Sequence, residues 1–248
     1  MANRLKDKVA IITGGVSGIG LGIAECYIRE GAKVVLTARK SIDKGKEAVD
    51  RFGADKALFV QQDVSQESDW EKVIKAAQDK FGKIDIVVNN AGVPPVNVPI
   101  DQLKIEDWNR IIAVNLTGTF LGIKHGMLAM KQTGGGSIIN ISSIEAFVGV
   151  PTGSPYNASK GGVRAMTKAA ALDATTGDYH IRVNSVHPGF IDTPILPRES
   201  VKQLASITPM KHIGKPKDIG ELCIYLGSEE SEFATGSEFV VDGGFIAQ

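Results

Sequence analysis

Only two of the 248 residues are cysteine, Cys26 and Cys223; both fall in helix-like apolar patterns, with no C-x-x-C spacing. They read as small core residues, not as a disulfide framework or a redox pair. The four histidines, His125, His180, His187 and His212, are scattered without the spacing of metal ligands, so no zinc site is expected. No apolar run reaches bilayer-spanning length, which argues against a membrane span. Charge of either sign is not in excess: 28 basic residues balance 28 acidic ones and no basic block occurs. Nucleic acid and anionic membrane surfaces are thereby excluded as main partners. The polar start, Met1 to Lys8, runs at once into a strand-like segment, so no signal peptide is expected and a cytoplasmic location is the default. No shift in composition marks a linker, and residues 1–248 read as one α/β domain.

What is present is an alternation of apolar strands and amphipathic helices. Val9–Thr13 is followed by G-G-V-S-G-I-G and then by the amphipathic segment Leu21–Glu30. Strand, glycine loop, helix is the order a dinucleotide-binding βαβ unit requires. The spacing Gly14-x-x-x-Gly18-x-Gly20 differs from G-x-G-x-x-G, but the physics is shared. Missing side chains let backbone N–H groups and a helix N-terminus approach a pyrophosphate. The second strand, Lys33–Ala38, ends at Arg39 where NAD enzymes carry an acidic residue for the ribose hydroxyls. Arg39 offers a planar fork to a 2'-phosphate, with Thr37 as a supporting hydroxyl, which predicts NADPH as the preferred coenzyme. Helices are expected at 41–52 and 67–81, and a strand at 57–61. Asp63 follows that strand, placed either to meet an adenine amino group or to N-cap the next helix.

A phenol and an ammonium recur one helical turn apart in Tyr156-x-x-x-Lys160. A free phenol, with a pKa of about 10, exchanges protons poorly at neutral pH. A positive charge at about 4 Å favours the phenolate by roughly 4 kcal/mol at an effective dielectric of 20. Lys160 is therefore expected to bring Tyr156 toward neutrality wherever desolvation does not cancel the effect. Ser143, just past the strand-like run 137–141, is the hydroxyl chosen to meet that phenol. Alternation points its neighbour Ser142 the other way.

The strand 84–88 ends in Asn89-Asn90-Ala91-Gly92, which either stitches the sheet or passes close to the cofactor. From 106 to 130 the pattern reads as one long helix. Asn115 sits in its apolar interior, either bracing a bend or holding a water that connects Lys160 to solvent. A strand at 181–186 leads into Pro188-Gly189. The proline-bearing segment 190–210 is long for a loop and reads as a substrate lid with a short helix inside. Thr193 at its start is suited to the nicotinamide carboxamide, and Val93, Glu145, Phe147, Phe190, Ile195 and Met210 are the expected pocket walls. A last helix (216–228) and strand (238–241) complete the alternation.

With these residues assembled, the chain resembles the short-chain dehydrogenase/reductase family from end to end. The motifs that carry the likeness are Thr13-Gly14-x-x-x-Gly18-x-Gly20, Asn89-Asn90-Ala91-Gly92, Asn115, Ser143, Tyr156-x-x-x-Lys160 and Pro188-Gly189. The resemblance implies a doubly wound Rossmann-like fold, its seven-stranded parallel sheet flanked by helices on both faces. It also implies a catalytic tetrad of Asn115, Ser143, Tyr156 and Lys160 and a homotetramer. Carried onto this chain, it places NADP(H) against Gly14, Ser17, Gly18, Ile19 and Gly20, then Thr37, Arg39, Asp63 and Val64. Asn90, Ala91 and Gly92, the Tyr156/Lys160 pair, and Pro188, Gly189, Ile191 and Thr193 complete that set. The stretches S-S-I-E-A-F-V-G, V-H-P-G-F-I-D-T-P, T-P-M-K-H-I-G and the ending F-A-T-G-S-E-F-V-V-D-G-G-F-I-A-Q are similar to the (R)-specific secondary-alcohol dehydrogenases of lactic acid bacteria. Those are NADP-dependent ketone reductases that hold a structural Mg2+ near the C-terminus, which assigns Gln248 as its contact. The expected substrates are small ketones and secondary alcohols. A 3-oxoacyl-thioester or sugar-type reductase, and a non-catalytic NADPH sensor, are the rival readings.

Overall fold

A parallel sheet whose strands are covered on both faces should carry near-continuous apolar strands, and these do. In the computed structural model, which describes residues 3–248, all five residues of β1 (Val9–Thr13) are buried. The other strands are β2 (Lys33–Ala38), β3 (Ala57–Gln61), β4 (Ile86–Asn89), β5 (Gly136–Ile141), β6 (Ile181–Pro188) and β7 (Glu238–Val241). Every pairing is parallel, in the order β3-β2-β1-β4-β5-β6-β7. This is the expected seven-stranded Rossmann-like sheet. The winding reverses between β1 and β4, and there the carboxyl ends of the strands leave a crevice for a ligand.

Strand alternation sends Ala10, Ile12, Val34, Leu36, Ile86 and Val88 to one face. There they pack with α1 (Gly18–Arg29), α2 (Ile42–Phe52) and, further along the chain, Pro216–Gly227. Ile11, Val35, Val87, Ile138 and Val183 go to the other face, against α3 (Glu67–Phe81) and the helices that follow β4. Trp70 of α3 is fully buried there, and its indole N–H donates to Val64 O at 3.0 Å. Each fully buried large side chain contributes about 1.5–3 kcal/mol.

The single helix expected over 106–130 is instead broken. It consists of α4 (Ile105–Ile112), a π-helical turn (Ala113–Thr117) and α5 (Gly118–Met130). Asn115 lies in the widened turn, where its main-chain carbonyl accepts from the Thr119 hydroxyl at 2.9 Å. A wider turn of this kind re-aims a side chain without ending the helix. The run 105–130 is, contrary to expectation, long and apolar enough to cross a membrane, but half of its most apolar stretch is buried within the fold. Its hydrophobicity serves the core, where α5 packs on α3, β4 and β5. The remaining helices are α6 (Ser154–Thr176), α7 (Val201–Ile207) and α8 (Pro216–Gly227).

Candidate active site

At the sheet reversal, Thr13 spends its whole hydrogen-bonding capacity on holding β1 to β4. Its hydroxyl donates to Val88 O (3.3 Å) and accepts from the N–H groups of Asn90 and Ala91, each at 2.9 Å. The Asn90 amide returns the bond to Thr13 O at 2.8 Å. Gly14 follows with φ +64°, a conformation that favours glycine, and a Cβ on Gly20 would stand 2.4 Å from Gly14 O. Gly20 thus lets the first turn of α1 settle onto the loop but does not itself face the crevice. Gly14, Ser17, Gly18 and Ile19 line a cavity of about 580 Å³ whose far wall contains Tyr156 and Lys160. Open glycine backbone beside a helix N-terminus is the cradle a pyrophosphate needs, so NADP(H) fits these residues.

The adenosine end is built differently from what the sequence implied. Gly15 N donates to Thr37 O, bringing the loop beside the end of β2. Thr37 itself is fully buried and its hydroxyl has no partner; alternation sends it to the same face of the sheet as Val35. It is therefore not presented to a 2'-phosphate. Arg39 is the exposed group there, with Nη1 at 3.6 Å from Asp63 Oδ2. Asp63 does not cap α3; the N-cap position is Gln66, while Asp63 Oδ1 accepts from Ser65 N and Oγ at 3.0 and 2.6 Å. Burial pushes the Asp63 carboxyl up, but the Ser65 bonds and the Arg39 charge outweigh it and hold the carboxyl below its ordinary value. Val64 is packed beneath Gly118, and none of Thr37, Arg39, Asp63 or Val64 lines the cavity.

On α6, Tyr156 and Lys160 open onto the cavity together, with Lys160 Nζ 5.6 Å from the centre of the Tyr156 ring and donating to Ile141 O at 2.9 Å. Past β5 the two serines part as alternation requires. Ser142 Oγ donates to Lys160 O at 2.9 Å, while Ser143 Oγ caps the next turn by accepting from Glu145 N at 3.1 Å and lies near enough to the phenol to lower its proton affinity. Proton affinities depart from the expectation. Burial, reinforced by the nearby Glu145 charge, pushes the Tyr156 phenol up to about 12, and the Ser143 bond only partly offsets this. Burial likewise pulls the Lys160 amine down to about 8 against the Glu145 charge. Desolvation overtakes the attraction between amine and phenol because both groups are removed from water.

Asn115 is committed to bracing. Its Oδ1 accepts from Val93 N at 2.8 Å, and its Nδ2 donates to Val93 O (3.0 Å) and Ser159 Oγ (3.3 Å). A Cβ on Gly92 would lie 3.3 Å from Asn115 Oδ1 and 3.8 Å from Lys160 Nζ, so this glycine lets the loop, the π turn and the amine meet. One residue in the site had not been singled out. His187, fully buried, donates Nδ1–H to Ser143 O at 3.1 Å, since a carbonyl only accepts, and Nε2 faces Ser185 Oγ at 2.9 Å. Burial holds its pKa down, so the ring is a neutral strut under Ser143. Its place just before Pro188-Gly189, on the inward alternation of β6, was the available signal.

Beyond β6, Gly189 N donates to Val241 O at 2.9 Å, and Ile191 pairs with Gly214. Pro188, Gly189, Ile191 and Thr193 all reach the cavity, and Thr193 faces Gly18 closely enough that a Cβ there would stand 3.4 Å away. Among the expected walls, Val93, Glu145, Phe190 and Ile195 line the cavity. Phe147 does not; it packs edge-on against His187, with ring centres 4.7 Å apart. Met210 also lies outside, 62% exposed.

A nucleotide cradle at a sheet reversal, with a tyrosine, a serine and a lysine across from it, defines a dinucleotide-dependent oxidoreductase. A family model described as enoyl-(acyl carrier protein) reductase matches residues 14–246. The chain is 50% identical to the NADP-dependent (R)-specific alcohol dehydrogenase of Lentilactobacillus kefiri, over the whole of both chains. It is 41% identical to a 3-alpha-(or 20-beta)-hydroxysteroid dehydrogenase of Mycobacterium tuberculosis, covering 100% of this chain and 92% of that one. A 2,5-dichloro-2,5-cyclohexadiene-1,4-diol dehydrogenase of Sphingobium indicum is 40% identical over 99% and 98% of the two chains. The chain belongs to the short-chain dehydrogenase/reductase family.

Proposed function

We propose that this enzyme reduces ketones reversibly to (R) secondary alcohols at the expense of NADPH, with residues 190–210 as the substrate lid. The observation that carries the reading is the Tyr156 phenol, with Ser143 and Lys160 beside it on the same cavity as the glycine loop. Identity of 50% to an NADP-dependent (R)-specific alcohol dehydrogenase supports it, as does Arg39 in place of an acidic residue after β2.

NADPH bound along Gly14–Ile19 would supply the hydride. Tyr156 gives its proton to the carbonyl oxygen as that oxygen gains charge, and takes it back in the reverse direction. Ser143 hydrogen-bonds the same oxygen and stabilises the developing charge. Lys160 adds a positive charge beside the phenol. Asn115 keeps Val93 and Ser159 in register around the pair, and His187 fixes the Ser143 peptide.

The balanced charge and two buried free cysteines support a cytoplasmic setting. Exposed Leu172 and Phe233 support burial of those faces in a homotetramer. For Mg2+ the chain offers the carboxamide oxygen of Gln248, a hard donor. Gln248 is exposed, and the described residues contain no cluster of three His, Cys, Asp or Glu. The hydride and proton steps do not pass through the ion. A thioester reductase is not favoured, since the relatives above are named for alcohols and diols. A non-catalytic sensor has no need of the intact Tyr156/Lys160 pair.

The test is NADPH oxidation with acetophenone, an acetoacetyl ester and an acetoacetyl thioester, with product chirality measured. Reduction of the ketone and the ester to (R) alcohols is expected. A strong preference for the thioester, or (S) products, would refute the assignment.

A further inference from the structure

Glu145 lies two positions beyond Ser143 and opens into the same cavity, yet its Oε2 is buried without a hydrogen-bond partner. Asn157, next to Tyr156 on α6, is in the same condition. Its Nδ2 donates to Glu145 O (2.8 Å) and Val148 O (2.7 Å), which fixes the orientation of the amide. Oδ1 is left as a buried acceptor with no donor. Both oxygens border the space beside Gly153, where a Cβ would stand 2.9 Å from Asn157 Oδ1 and 3.4 Å from Glu145 Oε2. Two buried acceptors on one space carry their full desolvation cost unless a donor lies between them. A protonated carboxyl supplies that donor.

We propose that Glu145 is a positioning residue that holds a proton in the resting enzyme, directed across the space beside Gly153 to Asn157 Oδ1, and that losing this proton strengthens the hold of Tyr156 on its own. The inference rests on Tyr156 being the acid and base of the reaction.

The groups that face Glu145 allow this. Tyr156 and Lys160 of α6 interact with its charge directly, while Arg164 and His187 flank the neighbouring Phe147 ring. Arg164 is occupied, with its Nε donating to Glu238 at 2.9 Å and its guanidinium 4.2 Å from the Phe147 ring centre. His187 is neutral and uses both nitrogens. Among the described residues, Lys160 is the cation that favours a carboxylate at 145. Burial outweighs it and pushes the Glu145 carboxyl up, whereas partners Arg29 and Lys8 hold Glu221 and Glu229 down. A carboxylate at 145 repels a phenolate at 156.

Reduction requires the phenol protonated and oxidation requires it deprotonated. An ionised Glu145 therefore carries reduction to higher pH and delays oxidation. Glu145→Gln keeps the shape and a donor toward Asn157 but never becomes charged. The alkaline limb of ketone reduction and the acid limb of alcohol oxidation should move down together in this variant, by about one pH unit. Limbs that coincide with those of the unmodified enzyme, or a uniform fall in kcat with unmoved limbs, overturn the proposal. Tyr156→Phe separates the two readings: residual full activity there would remove the assigned acid, whereas coincident limbs beside an inactive Tyr156→Phe remove only Glu145. Infrared titration of the unmodified protein needs no variant. A carboxylic-acid C=O band at neutral pH that fades with rising pH is expected, and its absence at neutral pH refutes the protonated carboxyl.

Discussion

The two walls of the crevice are built on opposite principles. The wall formed by β1, β4, β5 and α6 is closed by reciprocal hydrogen bonds, with Thr13, Asn90, Asn115 and Ser142 each tying one segment to another. The opposite wall, residues 190–210, is held by few such bonds. It leaves Ile195 and Met210 exposed and offers the surface ion pair of Arg198 with Asp192. Reaction chemistry needs groups fixed within fractions of an ångström, whereas admission of varied substrates needs a wall that can move. The rigid wall accordingly holds Tyr156, Lys160, Ser143, Val93 and Glu145, and the loose one adds Phe190 and Ile195 to the cavity.

Substitutions break or sharpen this contrast. Tyr156→Phe should lower kcat about 10²- to 10⁴-fold with NADPH affinity retained, measured by steady-state kinetics and by fluorescence titration of the coenzyme. Arg39→Leu removes an exposed charged fork and should raise the KM for NADPH about 10- to 100-fold while sparing NADH, which the ratio of kcat/KM values will report. An equal loss with both coenzymes would place Arg39 outside the discrimination. Thr13→Val keeps the shape but strips the hydroxyl from two N–H groups and a carbonyl, and should cost about 2 kcal/mol in urea denaturation. Arg198→Ala in segment 190–210 should change stability by less than about 1 kcal/mol, because a solvent-exposed pair is worth little. A larger loss than that of Thr13→Val would reverse the comparison between the two walls.

Much of the rigid wall was legible because its residues act through local geometry. An i, i+4 spacing puts Tyr156 and Lys160 on one face of any helix, and alternation after β5 separates Ser142 from Ser143. The π turn at 113–117 was not legible. A one-residue change in helical winding leaves the apolar pattern of 105–130 almost untouched, and only the bonds from Asn115 to Val93 reveal it. Thr37 and Phe147 were misplaced for a related reason. Sequence assigned each a neighbourhood, but Thr37 is fully buried and Phe147 packs against His187.

The order of strands and helices, the glycine loop at the first crossover and the placing of Tyr156 with Lys160 on one helix face were determined by the amino-acid sequence alone, since each follows from periodicity or from spacing within one element. The tertiary structure decided how strongly those groups hold their protons. Removal from water raises the phenol and lowers the amine, and it leaves Glu145 Oε2 and Asn157 Oδ1 buried beside Gly153. Desolvation belongs to the packed surroundings of a group, and those are assembled from segments far apart in the chain.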